Sequence, residues 1–184
     1  MFVYLKTPEA EGETLDAEEK ALKKKYSGRR MGALVAVEMA AVAAVVFALL
    51  FIFVIGIAAV SGVSMEPTYT EGQRVLFLKV VHSFSRGDVV AVRMLTGETY
   101  IKRVAAVPGD TVEIRDGVFC INGEAENEVH AHGATEPEGV EVVYPLTLGE
   151  DEYFLMGDNR EESIDSRSFG TVVPDQIMGL VPDL

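Results

Sequence analysis

Cysteine is almost missing from this chain, with Cys120 the only one in 184 residues. No intramolecular disulfide can form, so any exported domain must be held by its core. Cys120 lies in the apolar segment Val118-Phe-Cys-Ile121 and reads as a buried structural thiol rather than a nucleophile. Histidine is scarce as well, limited to His82, His130 and His132. The last two form a His-x-His pair in a polar stretch, but no carboxylate or cysteine set is spaced around them to complete a metal site. They read as part of a solvated loop, so no metal and no cofactor is expected. His82 stands beside Ser83, and no third member of a catalytic triad accompanies them. Basic residues are outnumbered, giving a formal net charge of −13. An acidic excess of this size argues against nucleic-acid binding, which wants basic patches. Internal repeats and helical heptads are also absent.

What the chain does contain is one long apolar run. Met39 to Val60 reads MAAVAAVVFALLFIFVIGIAAV, without a charged or strongly polar residue. A helix of that length would extend roughly 33 Å, which suits a hydrocarbon core of about 30 Å. A buried core helix would need a polar face, which this run lacks. The Ala59-Val60-Ser61 triplet resembles a signal-peptide cleavage site, but the polar segment before the run exceeds what a cleaved leader normally carries. A retained anchor is therefore expected, with residues 1–30 a polar and charged cytoplasmic segment and residues 31–61 a single membrane-spanning helix. Lys20, Lys23, Lys24, Lys25, Arg29 and Arg30 crowd its N-terminal flank, whereas the next basic residue on the other side is Arg74. The positive-inside tendency puts the N-terminus in the cytoplasm and residues 62–184 outside the cell membrane. Glu38 at the helix entrance reads as a depth marker. The first sixty residues balance seven bases against seven acids, so the acidic excess lies in the exported part.

Residues 1–19 are acidic and polar and are expected to be poorly ordered. Beyond Ser61 the texture changes to short runs rich in Val, Ile, Phe and Tyr. The pattern predicts strands at residues 74–80, 88–94, 99–106, 111–114, 118–121, 152–156 and 176–181. Thr96-Gly97, Pro108-Gly109-Asp110, Asp116-Gly117 and Asn122-Gly123 supply the turns. Residues 124–149, rich in Glu, Gly, His and Pro, read as a short exposed insertion. The expected fold is mainly β, a compact antiparallel domain behind one helix.

Ser64 follows the apolar run in Ser61-Gly-Val-Ser-Met-Glu-Pro-Thr68. A serine attacks only when a base takes its proton, and without a suitable histidine a neutral lysine can serve. In Tyr100-Ile-Lys-Arg-Val104, strand alternation puts Tyr100, Lys102 and Val104 on one face and Ile101 and Arg103 on the other. This segment fits a desolvated Lys102 and an exposed edge-strand lysine equally well. A further cluster, Gly157-Asp-Asn-Arg-Glu-Glu-Ser-Ile-Asp-Ser-Arg167, has the density of acids, amides and arginines that a buried polar network needs.

Taken in order, Ser64-Met-Glu-Pro-Thr68, Arg86-Gly-Asp-Val-Val90, Tyr100-Ile-Lys-Arg-Val-Ala-Ala-Val-Pro-Gly-Asp110 and Gly157-Asp-Asn-Arg160 with Ser163 and Asp165-Ser-Arg167 resemble the successive sequence boxes of bacterial type I signal peptidases. The resemblance spans the chain from the apolar run to Gly179. It implies a membrane-anchored serine endopeptidase that cleaves signal peptides from exported proteins, with Ser64 as nucleophile and neutral Lys102 as general base. It further implies that Ser163 orients the lysine, that Asp158, Asp165, Arg103 and Arg167 support the site through ion pairs, and that Met65 lies near the substrate-binding surface. The backbone N–H of Ser64 and a neighbouring donor would hold the oxyanion. Some relatives place a serine hydroxyl where this chain has Gly62, so either backbone or water replaces it here or the enzyme is weaker. The insertion between the third and fourth boxes is short, implying a reduced accessory subdomain. The expected partners are the lipid bilayer, the signal peptides of secreted preproteins and, beyond these, the secretion machinery. A different reading is a module dedicated to surface-protein cargo such as pilus subunits, in the extreme without turnover; cleavage of a generic Ala-x-Ala substrate separates the two.

Overall fold

A computed structural model describes residues 8–94, 96–139 and 142–182 of the chain. It divides into two units, Met1–Leu50 and Phe51–Leu184. The long helix α1 runs from Pro8 to Val54, so it ends before residue 61, the expected limit of the helical run. Residues 8–19, expected to lack order, are helical, in keeping with their five glutamates and two alanines. Pro8 stands at the first helical position, where its missing N–H costs nothing, and Glu19 and Lys23 form an i,i+4 ion pair of 2.5 Å. Residues 1–7 lie outside the described residues. Apolar side chains from Met31 to Phe53 stay exposed around the helix, including Phe47 and Phe53. The segment is long and apolar enough to cross a membrane.

The helix stops at Val54 because its final carbonyls find partners elsewhere. The Lys79 backbone N–H donates to the Val54 carbonyl and the Lys79 ammonium donates to the Ile52 carbonyl, both at 2.9 Å. Those are the groups a helix C-terminus leaves unpaired, and a cation there also suits the dipole. The end of the apolar run, expected to be helical through residue 61, instead forms strand β1, Ile55–Ala59. It pairs antiparallel with β2, Arg74–Leu78. Two β-branched residues flank Gly56, and only glycine fits there: a Cβ would lie 2.1 Å from the Phe77 ring.

The remaining strands are β3 (Val89–Arg93), β4 (Thr99–Ala106), β5 (Thr111–Arg115), β6 (Val118–Ile121), β7 (Glu124–Ala125), β8 (Leu146–Thr147), β9 (Phe154–Met156) and β10 (Ile177–Val181). Among the described residues they form a six-stranded sheet ordered β1-β2-β10-β3-β4-β9 and a four-stranded sheet ordered β7-β6-β5-β8. Every strand pairing is antiparallel. Two core clusters are built on residues of the larger sheet. Val75, Phe77, Val89, Ala91 and Ile101 gather with Val60 and Met65, while Val90, Val92, Val104 and Leu155 gather with Phe84, Tyr153 and Val172. A third cluster joins Val112, Phe119 and Ile121 of the smaller sheet to Phe154 and Met156 of β9. Cys120 is buried, as a structural thiol would be.

Candidate active site

Lys102 sits on β4 opposite Val90 of β3, in the interior of the larger sheet, and is 2% exposed. This resolves its two sequence readings in favour of the desolvated one. Its Nζ lies 2.9 Å from the Ser64 Oγ and 2.8 Å from the Ser163 Oγ. Among the described residues the amine bonds these two hydroxyls and pairs with no carboxylate. Burial is the largest influence on its pKa; Asp165 pulls it back up, Arg167 pushes it down, and the result is about 8 against an ordinary 10.5. That difference corresponds to roughly 3 kcal/mol. The Tyr100 ring, two positions back on the strand, has its centroid 5.7 Å from the amine.

Ser64 is positioned by the turn after β1. The Val60 N–H donates to the Gln73 carbonyl at 2.8 Å, and the Val60 carbonyl accepts from the Gly72 N–H at 2.9 Å. The Glu66 N–H closes back on Val63 and the Tyr69 N–H on Met65. Met65, expected at the substrate-binding surface, is instead wholly buried in the core cluster with Ile101. The Ser64 N–H has no hydrogen-bond partner among the described residues, which leaves it available to a ligand. Gly62 has a φ of +80°, and a Cβ there would meet nothing within 4 Å. A cleft of about 270 Å³ opens over these groups, lined by Ser61, Gly62, Val63, Ser64, Glu98, Tyr100, Ile101, Lys102, Glu162 and Ile164.

The fourth sequence box holds this arrangement from the other side. The Asn159 N–H donates to the Ser64 carbonyl at 3.0 Å and its side-chain amide to the Val63 carbonyl at 3.3 Å. Asp165, fully buried, accepts from Arg167 Nε and Nη2 at 2.9 Å each and from the Gly157 N–H at 3.0 Å. Burial alone would raise its pKa. The Arg167 bonds and charge, with Gly157 and the Ser163 hydroxyl, bring it below the ordinary carboxylate value. Ser163 Oγ thus links the surroundings of the Asp165 carboxylate to the Lys102 amine, which it meets at 2.8 Å.

Arg103 follows Lys102 directly and has the opposite surroundings. Its Nε and Nη2 grip Asp158 at 2.8 and 2.7 Å, and its Nη1 donates to the Gly87 carbonyl at 2.7 Å. Asp158 also accepts from Thr68 Oγ1 at 2.6 Å, which ties the serine's own turn to β4. Three further contributors carry no such signal in the sequence. A Cβ on Gly157 would fall 2.2 Å from Ser163 Oγ and 2.5 Å from the Ser64 carbonyl oxygen, so only glycine lets the two serines converge. Thr68 and Arg160 were visible inside their boxes, but nothing in the sequence said what they would touch.

An antiparallel β domain behind an apolar helix, with a serine hydroxyl against a buried amine, belongs among the serine peptidases. The family described as signal peptidase, peptidase S26, matches residues 33–182, and the chain belongs to it. A signal peptidase I of Bacillus licheniformis is 38% identical over 59% of this chain and 64% of that protein. Signal peptidase I P of Bacillus subtilis subsp. natto is 36% identical over 88% of this chain and 90% of its own length. Signal peptidase IB of Staphylococcus aureus is 32% identical over 75% and 83%. A crystal structure of an Enterococcus faecalis signal peptidase I aligns with 55% of this chain and 99% of that chain, at 31% identity and a TM-score of 0.48.

Proposed function

We propose that the chain is a membrane-anchored signal peptidase I that removes signal peptides from exported preproteins with Ser64 as nucleophile and Lys102 as general base. The observation that carries this reading is the 2.9 Å contact between the Ser64 hydroxyl and a lysine amine that is nearly wholly buried. An amine titrating near 8 is neutral in about a tenth of molecules at pH 7, which suffices for a base poised close to working pH. The neutral Lys102 takes the Ser64 proton as Oγ bonds the scissile carbonyl carbon. The unpartnered Ser64 N–H meets the oxygen that becomes negative, a charge present only at this stage. Collapse breaks the C–N bond, and the Lys102 ammonium returns its proton to the departing amine. Water then enters, Lys102 again accepts a proton, and the ester to Ser64 is hydrolysed. Ser163 and the Asp165–Arg167 pair hold the amine in register throughout, and Arg103 with Asp158 fixes the strand beneath it.

The membrane arrangement supports the same substrate. Residues 31–54 make a helix of roughly 36 Å, with six basic residues before it among residues 20–30. Those residues stay in the cytoplasm, and the chain from Ile55 onward lies outside. Ser64 follows the helix by ten residues, so its tether reaches at most about 35 Å. A signal peptide presents its cut where its own apolar helix ends, at a comparable depth. An extended substrate segment fits the 270 Å³ cleft, which admits small side chains near the cut.

Incubating the purified chain, in lipid vesicles, with a preprotein bearing an Ala-x-Ala site tests the proposal. The wild type releases the mature product, while folded Ser64→Ala and Lys102→Ala do not. Processing by Lys102→Ala at the wild-type rate would remove the dyad from the account.

A further inference from the structure

The insertion between the third and fourth boxes looks like solvated filler in the sequence, yet it grips the segment that carries Ser163. Glu128 accepts from Arg160 Nη1 and Nη2 at 2.5 Å each, and Thr135 Oγ1 accepts from Nη1 at 2.7 Å. Between these two contacts the backbones interlock. The His132 N–H donates to the Asp158 carbonyl at 2.7 Å, and the His132 carbonyl accepts from the Arg160 N–H at 2.8 Å. Arg160 is 3% exposed, and Glu128 is its carboxylate partner.

Arg160 in turn reaches both halves of the lysine's support. Its Nε donates to the Gly157 carbonyl at 2.9 Å, and Gly157 is where the Ser64 carbonyl and the Ser163 hydroxyl converge. Its own carbonyl accepts from Arg167 Nη2 at 2.7 Å, the same nitrogen that holds Asp165.

We propose that residues 128–135 are a brace for the active site, in which Glu128, acting through Arg160, is a positioning residue for the contact between Ser163 and Lys102. The inference rests on the Ser64–Lys102 reading given above. Glu128 bonds neither dyad residue; through Arg160 it fixes where the residue 157–165 segment stands. Without it, a desolvated guanidinium loses its counter-charge. The segment then shifts, and water reaches the amine.

The pH profile distinguishes positioning from simple stability. The charged groups acting on Lys102 are Asp165, Arg167, Glu138 and Asp158, and Glu128 is not among them. A changed Lys102 titration in a Glu128 variant therefore reports displaced geometry rather than a lost field. Added water relieves the desolvation that lowers the amine's pKa, so the rising limb of activity moves to higher pH.

The experiment uses the full chain in lipid vesicles and the Ala-x-Ala preprotein, with rates expressed per folded enzyme. Glu128→Ala lowers kcat about tenfold with KM within about twofold of wild type. Its rising limb moves up by about half a pH unit. Glu128→Gln does the same to a smaller extent, and Glu124→Gln, exposed on the same insertion, changes neither. Wild-type kcat and an unmoved limb in folded Glu128→Ala overturn the brace. Where that variant does not fold, Glu128→Gln and Thr135→Val decide on the same two readouts, an unmoved limb in both overturning it. Failure of the underlying dyad reading shows separately, as wild-type processing by Ser64→Ala.

Discussion

Lys102 and Arg103 are neighbours on one strand, both basic and both buried, yet they end in opposite electrostatic states. Arg103 is clasped by both oxygens of Asp158 and by a backbone carbonyl. Its charge is matched, its planar fork is satisfied, and it is locked as a cation. Lys102 meets two hydroxyls and an aromatic ring. Hydroxyls solvate an ammonium far less well than water or a carboxylate does, so burial drives its pKa down to about 8. The alternation of β4 sends consecutive side chains to different faces, and each face supplies a different chemistry. The difference teaches that burial alone does not make a base. What matters is burial in direct contact with groups that carry no formal charge.

The largest expected effect comes from making position 102 resemble position 103. Lys102→Arg keeps the positive charge but cannot lose its proton at usable pH, so kcat falls at least about a thousandfold while circular dichroism shows a folded domain. Retained activity would mean that charge, and not proton acceptance, is what the site requires. The reverse disturbance, Arg103→Met, strands a buried Asp158 carboxylate. Urea unfolding should register a loss of about 3–5 kcal/mol, and a double Arg103→Met/Asp158→Leu variant should recover part of it.

Ser163→Ala removes one of the two hydroxyls that set the amine's direction. Steady-state kinetics should show kcat down roughly 10- to 100-fold with KM little changed, as for loss of an orienting group. The smallest effect needs no mutation. The folded pKa of Lys102 lies below its unfolded value, so the amine is protonated in both states below pH 8 and activity is limited there. As pH rises from 7 to 9, kcat should climb by up to about tenfold along a limb centred near 8. Over about 8 to 10.5, folding stability also rises, because the unfolded chain retains a proton that the folded chain has shed.

Much of this architecture is legible in the residues. The limits of β4 and β6 follow from alternation and turn chemistry, and the bounds observed, Thr99–Ala106 and Val118–Ile121, are those expected. The end of the long apolar helix is not legible. Ile55–Ala59 is as apolar as the helix before it, and only the pairing with β2 and the Lys79 cap turn it into a strand. The same limit applies to Met65, whose neighbourhood in the sequence says nothing of which side of the turn faces the core. In the site, the serine and the lysine stand out because so few other groups could do chemistry. Glu128 does not stand out, being one glutamate in an acidic, polar insertion. Its value comes from Arg160, 32 residues away, and no local pattern encodes that pairing. Gly157 shows the same limit: a glycine beside an aspartate reads as a turn, whereas its use here is to let two serines approach.

The central claim is that the Lys102 amine sheds its proton within reach of physiological pH while Arg103 beside it stays charged. Its most direct test is to follow the Lys102 ε-CH2 resonance of the folded wild-type chain by NMR as pH is raised from 6 to 11. A single titration centred near 8 is expected, absent from the spectrum of Lys102→Arg. A midpoint at the ordinary lysine value of about 10.4 would leave Ser64 without a proton acceptor and contradict it.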